Sequence, residues 1–227
     1  MNFALLVIFM FVAFGLTTLF RKWIDGPTLF AVAIGCACNA NIFTPLTHPI
    51  VLGPLTFSIE IVLYTLFMYT IMVRILDYGY SSAKVMTFTS VAAIIISAFI
   101  ELVAICTRDG FTGEAFKTFS YYFFSSIGTL LGVWFMVFIT IQLRKKNVTS
   151  YVIIPLGLIC SSLIHASFYY GGIALVNLEM TLYSSSAIFG TMIGKSVCIA
   201  LAVLCYFINQ KFWIPNNLKK EETNKGQ

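Results

Sequence analysis

Charge is what this sequence has least of. Only 10% of its 227 residues are Asp, Glu, Lys or Arg, against roughly 25% in an average soluble chain. With 59% hydrophobic residues, the chain carries too little polar material to dress a water-facing surface. That excludes a soluble catalytic domain. Apolar runs near the length of about 20 residues needed to cross a bilayer fill almost the whole chain, parted by short polar breaks.

Other absences narrow the chemistry. The sequence has no Gly-x-Ser-x-Gly segment, no His/Asp/Glu metal triad and no pair of intramembrane aspartates, so neither an intramembrane enzyme nor a metal or cofactor is expected. The segment Gly190-Thr-Met-Ile-Gly194-Lys195-Ser196 looks like a phosphate-binding loop. It has three residues between the glycines where that motif needs four, Phe189 where a Gly should stand, and no strand before it. Gly190 and Gly194 read better as a GxxxG helix-packing face. The six cysteines, Cys36, Cys38, Cys106, Cys160, Cys198 and Cys205, all lie in or beside apolar runs, without the composition of a disulfide-rich secreted fold. They are expected to act as small packing residues.

What is present is a series of apolar runs near residues 3–20, 27–45, 51–73, 85–107, 119–143, 150–173 and 184–209. The expected architecture is an all-α, polytopic membrane helix bundle of about seven transmembrane helices. Residues 1–216 would form a single transmembrane domain, and the polar stretch 217–227 a disordered cytoplasmic tail. The first run lacks the positive start and small-residue cleavage site of a signal peptide and is followed by Arg21 and Lys22, as expected of a retained span.

The basic residues then set a direction. One side of the membrane receives Arg21, Lys22, Arg74, Lys84, Arg144, Lys145, Lys146, Lys211, Lys219, Lys220 and Lys225, the other only Arg108 and Lys117. By the positive-inside rule the N-terminus lies outside and the C-terminus in the cytoplasm. The net charge of +5 is therefore topological and is no nucleic-acid signal. The same rule puts the glycosylation pattern Asn147-Val-Thr149 on the cytoplasmic side, beside Arg144–Lys146.

Ionisable side chains inside spans mark working surfaces, because each costs at least about 2.5–3.5 kcal/mol at mid-membrane. Glu60, Glu101, His165 and Lys195 are the four, expected about 6–10 residues from the outer ends of their spans, or roughly 9–15 Å. Each sits in a polar stripe at helical spacing: Thr56, Glu60 and Tyr64; Ser90, Ser97 and Glu101; Ser161, Ser162, His165 and Tyr169; Thr191, Lys195 and Cys198. Asn39 and Asn41 lie at comparable depth. The pattern predicts a polar chamber open to the outside. The structural alternative is a Glu–Lys pair, Glu60 or Glu101 with Lys195, accompanied by helix-gluing Ser, Asn and His. A lysine in the last of seven spans also resembles retinal proteins, yet no Asp or Trp accompanies Glu60 and no acidic residue lies a turn before Lys195.

Several segments, in order along the chain, resemble the queuosine-precursor transporter family, also called the VUT or YhhQ-like family. Phe20-Arg-Lys-Trp-Ile-Asp-Gly26 and Cys38-Asn39-Ala40-Asn41-Ile42 are similar to its aromatic–basic–Gly loop and Ala-Asn-Ile helix end. Leu52-Gly-Pro-Leu-Thr-Phe57-Ser-Ile-Glu60 is similar to its Pro-Leu-Thr-Phe stretch, and Ile75-Leu-Asp-Tyr78-Gly79 to Lys84 to its acidic–Tyr-Gly loop. Ser161-Ser-Leu-Ile-His165 and Ile193-Gly-Lys195 are similar to its two late helices, with His165 standing where the family has Asp. The resemblance implies import of 7-deazaguanine precursors across the cell (plasma) membrane. Glu60 or Glu101 would accept hydrogen bonds from the ring's N–H edge, Lys195 or Asn41 would donate to its carbonyl, and Tyr64 would stack on its face, with His165 in the wall. The expected partners are a small-molecule substrate and the lipid bilayer, with no nucleic acid and no defined oligomeric state. The alternative is a membrane-embedded ligand sensor acting through a cytoplasmic partner.

Overall fold

In a computed structural model the described residues are 3–20, 31–36, 50–52, 55–57, 59–110, 112–176 and 181–212. They form helix α1 (Phe3–Phe20), a helical segment α2 (31–36), a short hairpin of β1 (Ile50–Leu52) and β2 (Leu55–Phe57), and five long helices. These are α3 (Ile59–Tyr78), α4 (Tyr80–Asp109), α5 (Gly113–Lys145), α6 (Ser150–Val176) and α7 (Thr181–Phe212). Among the described residues, five helical stretches are long and apolar enough to cross a membrane: Ile59–Tyr78, Thr87–Arg108, Ala115–Lys145, Ser150–Val176 and Phe189–Ile208. The expected second span at 27–45 and the tail at 217–227 fall mostly or wholly outside the described residues.

The expected span at 51–73 does not begin where the apolar run begins. Strands β1 and β2 pair antiparallel, Ile50 opposite Phe57 and Leu52 opposite Leu55, so only Gly53 and Pro54 separate them. A proline removes the backbone donor and obstructs the preceding helical turn, while Ile50, Val51 and Thr56 are β-branched and suit a strand. The helix therefore starts at Ile59. Thr56 lies on a strand, and Glu60 falls in the first turn of α3 instead of about two turns inside it.

The expected loop at 74–84 is also replaced. Helices α3 and α4 are joined by Gly79 alone, whose φ of +81° belongs to the left-handed region that glycine enters without a Cβ penalty. Tyr80, Ser81 and Lys84 of the anticipated loop lie exposed on α4 instead.

Helix α3 is the hub, packing against α1, α4, α5, α6 and α7. Phe67, Met68, Tyr69, Ile71 and Met72 are fully buried, and the Phe14 ring of α1 meets Tyr69 edge-on at 5.8 Å. Helix α4 lies at the periphery, with Phe88, Ile96, Phe99, Ile100 and Val103 exposed. Helices α5 and α6 form a tight pair because glycines let their backbones approach. A Cβ on Gly132 would come within 2.7 Å of the Tyr64 hydroxyl and 2.9 Å of Ser161 Oγ.

Contacts between helix ends fix an up-and-down order. The Arg144 guanidinium at the end of α5 donates to the Ile75 carbonyl near the end of α3, and Arg74 lies over the Tyr78 ring at 4.0 Å. Arg74, Arg144, Lys145 and Lys146 thus share one basic end. At the other end Glu60 of α3 is within electrostatic reach of Tyr122 in α5 and Tyr170 in α6. There the α5 N-terminus is capped by Thr112, whose side chain accepts from the Ala115 N–H at 3.2 Å.

Candidate functional site

The three polar stripes of α3, α6 and α7 meet inside the bundle. In α6, Ser161, Ser162 and His165 are buried, one helical face turned inward by their three- and four-residue spacing. In α7 the same spacing turns Lys195 and Cys198 inward, and Lys195 is only 1% exposed. Tyr64 of α3, 4% exposed, fills the space between them.

The geometry is tight. Lys195 Nζ lies 2.9 Å from His165 Nδ1 and 4.3 Å from the centroid of the Tyr64 ring, a cation–π distance. The Tyr64 and His165 rings are 4.4 Å apart. The Tyr64 hydroxyl donates to the Ser161 carbonyl at 3.2 Å and sits 2.9 Å from Ser161 Oγ. That small gap is possible because Gly132 of α5 presents no side chain there. Glu60, one turn before Tyr64 on the same face, interacts electrostatically with Lys195 and with Tyr169 and Tyr170.

Further out, aromatic rings continue the site. His165 stacks on Tyr169 with centroids 6.0 Å apart and planes 17° from parallel, and Tyr169 meets Tyr170 edge-on at 5.0 Å. The Tyr170 hydroxyl bridges to Thr191 Oγ1 at 2.6 Å, tying α6 to α7. A half-open pocket of about 350 Å³ adjoins this tie, lined by Leu163, Ala166, Ser167, Tyr170, Gly171 and Met192.

The structure therefore brings Tyr64, His165 and Lys195 into direct contact, with Glu60 in electrostatic reach. Glu101 stands apart from that group. It lies on α4, within electrostatic reach of Tyr122 of α5, and both its carboxylate oxygens are buried without a hydrogen-bond partner. Ser90 and Ser97 of its stripe are buried, and Ser90 Oγ is likewise unpartnered. Asn41 and Asn39 lie outside the described residues. The polar groups pack onto one another instead of lining an open chamber, since Tyr64, His165 and Lys195 are each almost wholly buried. Among the described residues no three His, Cys, Asp or Glu side chains converge as metal ligands would. The described cysteines, Cys36, Cys106, Cys160, Cys198 and Cys205, are free thiols.

Sequence reasoning missed Tyr122, Tyr170 and Gly132. The adjacent pairs Tyr121-Tyr122 and Tyr169-Tyr170, and the Gly128-xxx-Gly132 spacing, were the available signals. Comparison of the chain with protein-family models, with curated proteins and with solved structures found no match.

Proposed function

We propose that this chain is a multi-pass plasma-membrane transporter that imports a small planar solute rich in hydrogen-bonding edges. A 7-deazaguanine queuosine precursor or a related nucleobase-like compound is the substrate class that suits it. Seven spans, an external N-terminus and a cytoplasmic C-terminus belong to the same proposal and rest on the charge asymmetry of the sequence.

One observation carries the reading. An amine, an imidazole and a phenol ring from three different helices are held in contact inside an apolar bundle, with a carboxylate in reach at its rim. Ionisable groups are expensive inside a membrane and face a substrate or ion path where they occur. The chemistry matches the solute: Glu60 accepts from an N–H edge, Lys195 donates to a carbonyl, and Tyr64 and Tyr169 offer ring faces. A closed cluster is what alternating access requires in the state between openings.

The test is uptake of labelled 7-deazaguanine bases per folded molecule, in cells lacking a transporter of their own. The Glu60→Gln protein should accumulate normally and lose uptake. Normal transport by an abundant Glu60→Gln, Lys195→Met double variant would reduce the cluster to structural pairing. No uptake by the unaltered protein of any such base would overturn the transporter reading. Impermeant thiol labelling of single-cysteine variants should reach residue 2 from outside and Asn147 only from the cytoplasm. Both termini on one side would rule out seven spans.

A further inference from the structure

An amine nitrogen and an imidazole nitrogen 2.9 Å apart must share a hydrogen. Either the Lys195 amine, protonated or neutral, donates to the Nδ1 lone pair, or a neutral amine accepts from Nδ1–H. If both nitrogens carried their full complement of protons, two donors and two positive charges would face each other. The intact contact therefore exists with a net charge of zero or plus one, never plus two. It is a one-proton device by geometry.

Its surroundings allow both states. From α3, Glu60 and the Tyr64 ring face favour the charged form. From α6, Tyr169 stacks on the imidazole. From α7 the neighbour is Cys198, one turn along. Helix α5 offers glycine against the His165 backbone at Gly128, and neither α1 (Phe3–Phe20) nor β2 (Leu55–Phe57) contains an ionisable side chain. Against these stands burial, with Lys195 1% and His165 4% exposed, which penalises any net charge. Among the described residues Glu60 is the carboxylate in reach to offset the proton, and burial keeps solvent from it.

Burial also controls access. In the closed bundle no proton in bulk water reaches the pair, so loading and release both require the helices around it to part. A solute bound between Glu60, Tyr64 and Lys195 needs the same opening. Shared gating is what separates coupled transport from a proton leak. We propose that the Lys195–His165 pair is the proton-binding site of a symporter, carrying one proton inward with each solute molecule. This rests on the transporter reading above. Loading forms one N–H bond with a proton from external water, release breaks it to internal water, and the solute is chemically unchanged.

The experiment uses the full chain reconstituted in sealed vesicles, with membrane potential held at zero by potassium and an ionophore, and a labelled 7-deazaguanine base as probe. One proton per solute predicts accumulation of about tenfold for each unit of inward acid gradient, abolished by a protonophore. In His165→Gln and Lys195→Met, whatever uptake remains should not respond to the gradient. A second measurement needs no transport. The chain has two histidines, His48 and His165, so nitrogen-15 histidine labelling, with His48→Gln for assignment, isolates the His165 imidazole. Its Nδ1 signal should move with pH as the hydrogen shared with Lys195 is gained or lost, and Lys195→Met should displace that transition.

Accumulation that follows the gradient, with a Lys195-linked transition at His165, supports the proposal. Uptake that equilibrates whatever the gradient overturns coupling while leaving the transporter reading intact. A one-proton transition in a protein that moves none of the bases overturns the transporter reading and coupling together, leaving a proton site without a cargo. Imidazole nitrogen signals that stay the same at every pH overturn the site itself. If both variants fail to accumulate, the unaltered protein's accumulation ratio and titration decide the matter.

Discussion

Helices α3 and α4 are neighbours in sequence, separated by one glycine, and each carries a glutamate, yet the bundle treats them oppositely. In the membrane-crossing window of α3, 78% of residues are buried; in that of α4, 22%. Of the two windows, that of α4 is the more hydrophobic. In water the apolar element goes inside, but in a bilayer the apolar face is the one that can be left facing lipid tails. The helix that brings Tyr64 and Tyr69 with its apolar residues is the one enclosed on all sides. Glu60 has Lys195 in electrostatic reach, whereas the oxygens of Glu101 have no hydrogen-bond partner. In this chain, polarity within an apolar helix is the mark of an inward position, and Glu101 is the exception that tests it.

The strongest way to break the contrast is to add bulk on each side of it. Gly132→Leu drives atoms into Tyr64, Ser161 and the α6 backbone, and should cost about 3 kcal/mol or more, the upper end for overpacking. Ala92→Leu, on the exposed face of α4, should change stability by under about 0.5 kcal/mol. Unfolding of purified protein in a denaturing detergent measures both, and equal losses would mean α4 is not peripheral.

Next in size is Lys195→Met. It strands the His165 nitrogen and removes a positive charge in electrostatic reach of Glu60, a loss of roughly 1–3 kcal/mol, visible as reduced membrane abundance. Adding Glu60→Gln should recover part of that loss. A double variant worse than the sum of the single ones would dissolve the pairing.

Glu101→Leu should act with the opposite sign. Removing two unpartnered oxygens from a peripheral helix is expected to stabilise by about 1 kcal/mol, seen as a higher detergent midpoint. Destabilisation would show that this carboxylate is held by something and that the contrast with Glu60 is false. The smallest effect is expected for Phe99→Leu, exposed on α4, within about 0.5 kcal/mol. A larger shift would indicate that this face is covered by protein instead of lipid.

How much of this was legible beforehand depended on what one-dimensional patterns encode. Helices α6 and α7 span 150–176 and 181–212, close to the expected 150–173 and 184–209, because long apolar runs bounded by polar breaks have one reading at that length. The start of α3 was not legible in the same way. Residues 50–57 are as apolar as a span, and only the Gly53-Pro54 pair hints that they fold as a hairpin. The start of α4 was obscured by Ser81, Ser82 and Lys84, which a helix end tolerates at the membrane edge. For the site, stripe periodicity gave the inward faces of α6 and α7, and so Ser161, His165, Lys195 and Cys198. Depth and face say nothing about which helices are adjacent. The stripe pattern therefore groups Glu101 with the others, while the structure sets it on an outer helix.

The single-residue joint at Gly79 has a consequence for how the protein is made. Two helices with no loop between them are expected to enter a bilayer as one hairpin, neither settling across it long before the other. The inserting machinery weighs each segment by its apolarity, and α3, with Glu60 at its start and Arg74 near its end, is the poorer candidate of the two. Helix α4 follows immediately behind it, its crossing window the more apolar of the two. Entering a bilayer as a pair, the peripheral helix is thus expected to carry in the more enclosed one.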